Sequence, residues 1–176
     1  DTNKLRYITL CDPAMRLAVP ENIVGLTSID DTPTGDIDGD PVTVPSLSKK
    51  VFKGVVTGAD GKVIEDFDGT LSLTLYDAEQ SFTTLGRGKN GKVKVYDEQG
   101  ERIFAGSASI KGGHWEASVM LPQDIADNYR PATLMMYGEG SDGSKLAAGG
   151  ADRSFYVYGV ADDAVTDDVP PVIESL

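Results

Sequence analysis

The sequence predicts an all-β fold, an immunoglobulin-like antiparallel β-sandwich of about seven strands with an N-terminal extension. Three observations support this prediction. Apolar residues recur at every second position along much of the chain, glycine-containing turn pairs separate these runs, and no apolar pattern of helical period exceeds about two turns. Several short strands with closely spaced turns are typical of two packed β-layers.

The clearest strand covers residues 69–77, where Leu71, Leu73 and Leu75 share one face and small polar residues share the other. The same alternation predicts six further strands, at residues 50–57, 92–96, 102–110, 114–121, 132–137 and 153–158. Turn pairs such as Asp60-Gly61 lie between the runs. Residues 122–127, which begin with a proline, predict one short helical turn.

Large aromatic side chains are spread one to an element, which is how a sandwich core is filled. The predicted core aromatics are Phe52, Phe67, Phe82, Phe104, Trp115 and Phe155. Tyr156 and Tyr158 alternate with these core positions, so we expect them to face outwards.

Composition divides the chain into four parts. Residues 1–20 form the N-terminal extension. Residues 21–48 are rich in Asp, Thr, Pro and Gly and predict a linker with room for one strand at 22–29. The sandwich is expected at 49–161, and 162–176 ends in an extended apolar run that we interpret as a linker into a further domain. The chain starts without a methionine or an apolar leader, so we expect a mature or engineered start.

The charge and the cysteine count exclude several functional classes. The 176 residues carry 16 Lys and Arg against 28 Asp and Glu, a formal charge of −12, which disfavours binding to nucleic acids or anionic membranes by charge alone. The apolar stretches are too short for a transmembrane helix. One cysteine and one histidine provide neither an internal disulfide nor a His/Cys zinc cluster. We therefore predict no cofactor.

The best candidate for a metal site is the acidic run containing Asp36, Asp38 and Asp40. Alternating aspartates with a glycine could supply oxygen ligands to calcium. An EF-hand loop, however, needs an acidic residue at its twelfth position, where this chain has Leu47. A solvated acidic linker is the favoured interpretation, and calcium binding stays an open alternative.

Other candidate sites are better explained by structure. The letters from Gly86 to Gly91 fit a dinucleotide fingerprint, but an alternating strand follows where a helix is required, so we predict a hairpin loop. Cys11 could act as a nucleophile only beside His114, and we expect Cys11 in a core and His114 at the surface. Asp66 and Asp68 flank Phe67 just before a strand and could act as an acid/base pair, but a turn role for Asp68-Gly69 is favoured. No catalytic, cofactor-binding or metal residue is predicted.

Short motifs along the whole chain resemble one protein family. Residues 10–17, Leu-Cys-Asp-Pro-Ala-Met-Arg-Leu, resemble the Leu-Gly-Asp-Pro-Ala-Leu-Arg-Leu segment that closes the peptidase domain of the gingipain-like (C25) cysteine peptidases. The following segments resemble, in order, the β-domain after the peptidase in PorU-type members: 53–57, 60–64, 66–71, 75–77, 104–110, 121–125 and 147–150. Residues 168–173 are similar to the lead-in to the next β-domain.

This resemblance implies a non-catalytic module of a large bacterial surface or secreted protein, in which residues 1–20 are the tail of a preceding peptidase-like domain. PorU-type proteins are sortases of the type IX secretion system, which trim sorting signals and attach cargo to the cell surface. Cys11 stands where the family has glycine, and the family's catalytic residues lie upstream of this chain. The implied partners are the preceding peptidase domain, the following β-domain and outer-membrane secretion components. The alternative is a free-standing secreted adhesin-like or carbohydrate-binding sandwich that uses Tyr156 and Tyr158.

Overall fold

A computed structural model describes residues 19–35, 40–87, 91–141 and 147–164. Within these ranges the chain forms twelve strands: β1 (Asn22–Ile29), β2 (Thr32–Pro33), β3 (Val42–Ser46), β4 (Lys49–Thr57), β5 (Gly69–Tyr76), β6 (Gln80–Thr83), β7 (Val95–Glu98), β8 (Arg102–Lys111), β9 (His114–Met120), β10 (Thr133–Gly140), β11 (Ala147–Asp152) and β12 (Phe155–Val160). The all-β prediction is confirmed. Cys11, Asp36 and Asp38 lie outside the described residues, as do most of the N-terminal extension (residues 1–18) and most of the predicted C-terminal linker (residues 165–176).

Seven strands form a closed barrel in the order β1, β4, β9, β8, β5, β10 and β11, with β11 pairing back to β1. Five of these pairings are long antiparallel ladders. The other two are short seams: β8 meets β9 at two residue pairs, and β1 meets β11 at two parallel pairs. The predicted sandwich is corrected to a barrel, because these seams join the edges that two separate sheets would leave open.

Within residues 21–48, β1 (Asn22–Ile29) coincides with the strand expected at 22–29, whereas the interpretation of the segment as a linker is corrected. The segment contains β1, which lies in the barrel wall between β4 and β11, and β3, which pairs in parallel with β12. Val24, Ile29 and Val44 of these strands are buried. Their apolar side chains therefore belong to the same core as residues 49–160, and the acidic and Gly-rich connection between β1 and β3 concealed this in the composition.

Inward-facing residues of the barrel strands form one continuous core. Leu71, Leu73 and Leu75 of β5 are buried, as the alternation predicts. Phe52 and Phe155 are fully buried and meet edge to face with ring centroids 5.4 Å apart, which fastens β12 to the barrel. Of the other predicted core aromatics, Phe67 and Trp115 are buried, Phe104 packs against the core and Phe82 does not.

Phe82 is exposed because β6 and β7 form a separate two-stranded sheet outside the barrel. The predicted strand at 92–96 corresponds to β7, which lies slightly later in the sequence.

The helical turn predicted at 122–127 is wrong. The Ala126 amide donates a hydrogen bond to the carboxylate of Asp77, the residue that follows β5 (2.5 Å). This side-chain contact holds the loop in place of helical backbone hydrogen bonds. Across the described part of the chain, no helix is long and apolar enough to span a membrane.

Candidate functional surfaces

Three tyrosines, two exposed and one half-buried, form a cluster where the β9–β10 loop meets β12. The ring of Tyr129, in the loop, lies 4.7 Å from that of Tyr156 at a tilt of 34°, and 5.3 Å from that of Tyr158 edge to face. Tyr129 is 54% exposed and Tyr158 is 38% exposed. The outward orientation predicted for the two β12 tyrosines agrees with this arrangement, whereas Tyr129 lies in an irregular loop and shows no periodic signal.

The loop that carries Tyr129 is held by polar contacts to the barrel. The buried carboxylate of Asp77 accepts hydrogen bonds from the Ala78 and Ala126 amides. The Asn128 side-chain amide donates to the Glu79 carbonyl (2.7 Å). These contacts hold the loop on the N-terminal side of Tyr129 in place, which lowers the entropic cost of ordering that loop in a contact.

Ion pairs tie the surroundings of the tyrosine cluster to the β6–β7 sheet. Arg130 contacts Asp97 of β7 at 3.2 Å, and Arg153 contacts Glu79 at 2.9 Å. The hydroxyl of Ser81 and the guanidinium of Arg130 hold the pKa of Asp97 below its usual range. Asp97 is therefore ionised at neutral pH, and the pair persists there.

An apolar surface lies where the chain enters the barrel, and we call it the N-terminal apolar surface (Val19, Pro20, Ile23, Met135 and Tyr137). Tyr137 of β10 pairs with Gly149 of β11, which pairs in turn with Ile23 of β1, so these side chains form a row across the β1–β11 seam. Pro20 packs over Gly149, since a Cβ added there would lie 3.3 Å from the proline ring. Val19, Ile23, Met135 and Tyr137 are all exposed.

An open depression of about 640 Å³ lies beside the β8–β9 seam. Ser109, His114 and Glu116 are among the residues that line it. His114 is exposed, as predicted. Among the described residues no hydrogen bond joins His114 to Ser109 or to a carboxylate, and Glu116 instead contacts Lys53 at 3.7 Å. The contact between nucleophile and base that covalent catalysis requires is not formed there.

The acidic candidates have structural contacts. Asp68 accepts a hydrogen bond from the Gly112 amide (2.8 Å) and contacts Lys111 at 3.3 Å, so it joins the start of β5 to the β8–β9 turn. These two contacts, the amide above all, hold the pKa of Asp68 below its usual range. Asp66 and Asp40 are exposed. In the ranges that the structure describes, no three His, Cys, Asp or Glu residues are grouped to hold a metal.

The fold is similar to part of a solved structure, that of dimeric latent PorU from Porphyromonas gingivalis. The similarity has a TM-score of 0.72 at 28% identity and covers 93% of this chain. The chain spans 15% of the length of that PorU chain. The similarity agrees with the resemblance of the sequence motifs to the PorU-type members of the gingipain-like family.

A second solved structure, the sporulation control protein Spo0M from Bacillus subtilis, is similar at a TM-score of 0.42 and 13% identity. That similarity covers 80% of this chain and 51% of Spo0M. No protein-family model matches the chain, and no curated protein sequence matches it.

Proposed function

We propose that this chain is a non-catalytic β-module of a PorU-like cell-surface or secreted bacterial protein, in which it supports or positions a preceding peptidase or sortase domain. The similarity to PorU over 93% of the chain carries the proposal. A chain that spans 15% of PorU corresponds to one module of a larger protein. Type IX secretion and surface attachment would then be activities of the parent, to which this module contributes through contact.

The N-terminal apolar surface supports this proposal. An exposed apolar row is costly on a free-standing domain and is typical of a contact with another body. Val19 and Pro20 lie on this row, so a domain that precedes the chain would be positioned directly beside it. We propose that the preceding domain packs on Ile23, Met135 and Tyr137.

Oxidation of methionines tests this contact. We expect Met135, which is 46% exposed, to be oxidised by hydrogen peroxide several-fold more slowly in a gene product that extends upstream of Asp1 and ends at Leu176 than in the 176-residue chain. Met120, which is 59% exposed on β9, is the control and should react equally in both proteins. Peptide mass spectrometry gives the two rates. Equal oxidation rates of Met135 in the two proteins would contradict the proposal, as would a gene that encodes no upstream domain.

The tyrosine cluster favours a second candidate function, the binding of carbohydrate. Sugar rings pack on exposed aromatic faces. Tyr129 lies on a loop that Asp77 holds in place, and its ring lies beside two further tyrosines on β12. Arg130 and Asp97 lie next to it. Arg130 could donate hydrogen bonds to sugar hydroxyls, and Asp97 could accept them.

A glycan array followed by titration calorimetry tests this function. Tyr129→Ala should weaken binding of a selected glycan by about five- to thirtyfold, because a packed aromatic face contributes on the order of 1–2 kcal/mol. Tyr137→Ala removes a tyrosine of similar exposure on β10 and should leave the affinity unchanged. Failure of the intact chain to bind any glycan would refute this second function and leave the first unaffected.

A further inference from the structure

We propose that the β6–β7 hairpin, with its apolar face and basic end, docks on an anionic lipid surface. The hairpin forms a two-stranded sheet apart from the barrel. Among its described residues from 81 to 99, every one except Gly86 is exposed. An isolated two-stranded hairpin is only marginally stable in water, so exposed apolar side chains on it need an explanation.

One face of the hairpin is apolar. The register pairs Thr83 with Val95, and the ladder continues outwards through a hydrogen bond from the Thr84 amide to the Lys94 carbonyl (2.8 Å). Strand alternation then places Leu85 and Val93 on the same face as Val95. Leu85 is 77% exposed, Val93 59% and Val95 69%. Three neighbouring aliphatic side chains are therefore each more than half exposed to water.

The end of the hairpin is basic. Arg87, Lys92 and Lys94 lie within the last residues before and after the turn, and the sequence has no Asp or Glu from residue 80 to 96. None of the three makes an ion pair with a described residue. These three cations make the hairpin end positive in a chain whose formal charge is −12. The surface that complements this end is therefore anionic.

The size of the patch favours lipid over protein. A stable protein interface uses about 20–30 residues on each side, whereas the hairpin end offers about six side chains. Shallow insertion of a few aliphatic groups, with Lys and Arg at the level of the headgroups, needs no such area. The negative charge of the barrel repels the same surface, so the attraction is short-ranged and depends on apolar insertion together with the cations.

The hairpin is also anchored to present this end. Arg130 holds Asp97 at its base, and the Lys94 amide donates to the Thr84 hydroxyl (2.9 Å) near its end. The first contact joins the base of the hairpin to the β9–β10 loop, and the second joins the two sides of the hairpin to each other. This inference does not depend on the proposed function, since it uses no residue of the N-terminal apolar surface or of the tyrosine cluster.

Vesicle flotation with the 176-residue chain tests the inference. The chain should float with vesicles of equal parts phosphatidylcholine and phosphatidylglycerol at low salt, and should bind pure phosphatidylcholine vesicles far more weakly. Lys92→Gln and Lys94→Gln should each weaken binding about fivefold. The double variant Leu85→Ser/Val93→Ser should weaken it at least about tenfold. Circular dichroism melting confirms that each variant is folded.

Two matched controls locate the site. Val160→Ser changes an exposed aliphatic residue on β12, and Lys62→Gln changes an exposed lysine outside the hairpin, between β4 and β5. Neither substitution should alter vesicle binding. Equal binding by the intact chain and the hairpin variants would overturn the inference, as would no binding to the anionic vesicles. Self-association of the intact chain that Leu85→Ser abolishes, without vesicle binding, would overturn it as well and assign the hairpin to a second copy.

Discussion

Phe155→Ala is expected to lower the free energy of unfolding by about 3–5 kcal/mol. Phe155 is fully buried and is the residue through which β12 packs edge to face on Phe52 of the barrel. Its loss leaves a cavity between the β3–β12 sheet and the barrel wall, and removes the aromatic contact as well. Urea unfolding followed by circular dichroism gives the change.

Val160→Ala on the same strand is the control for this substitution. Val160 is 65% exposed, so its truncation should change the free energy of unfolding by no more than about 0.5 kcal/mol. A loss below about 1 kcal/mol for Phe155→Ala would mean that β12 does not pack on Phe52. The tyrosine cluster would then lack the rigid support described above, because Tyr156 and Tyr158 are carried by the same strand.

Gly54→Ala is expected to destabilise the barrel by about 3 kcal/mol or more, at the upper end of the cost of overpacking. Gly54 lies inside β4 opposite Trp115, and an added Cβ would lie 2.5 Å from the indole ring and would collide with the carbonyl oxygen of Gly25. The clash involves backbone on one side and a buried ring on the other, so neither neighbour can move cheaply.

Gly25→Ala is the matched control, because an added Cβ at Gly25 meets nothing within 4 Å. It should be close to neutral, or stabilising by up to about 1 kcal/mol through a less flexible unfolded chain. Thermal unfolding of the two variants separates the effect of space from that of losing a glycine. Similar stability for both would show that Trp115 does not occupy the space above Gly54.

Strands with strict alternation could be predicted from the sequence, and strands without it could not. β5 was predicted to within a residue because leucines alternate with small polar residues along it. β11 was missed because Ala and Gly, its main residues, have low strand propensity. Gly150 nevertheless fits there, since a Cβ would collide with the carbonyl of Val24 across the short seam. A pairing between distant segments leaves no local pattern, so the sequence predicts a sandwich where the structure has a barrel.

The candidate surfaces could be predicted only where they lie on regular strands. Alternation placed Tyr156 and Tyr158 outwards, but the position of Tyr129 depends on hydrogen bonds to Asp77 that no spacing reveals. Met135 and Tyr137 follow buried positions on β10, and their apolar character at outward positions was the available signal for a contact surface. The glycines at 86 and 91 predict a hairpin end, but their spacing does not indicate what the basic side chains beside them contact.

The β1–β11 seam has a consequence for synthesis of the chain. Asn22 pairs with Ala148, so β1 is made long before its second neighbour leaves the ribosome. Closing so long a loop costs entropy, which makes this pairing a late step in folding. Until then β1 presents an unpaired edge, a template for incorrect association between nascent chains. Completion of the barrel thus removes an aggregation hazard that lasts until β11 pairs with β1.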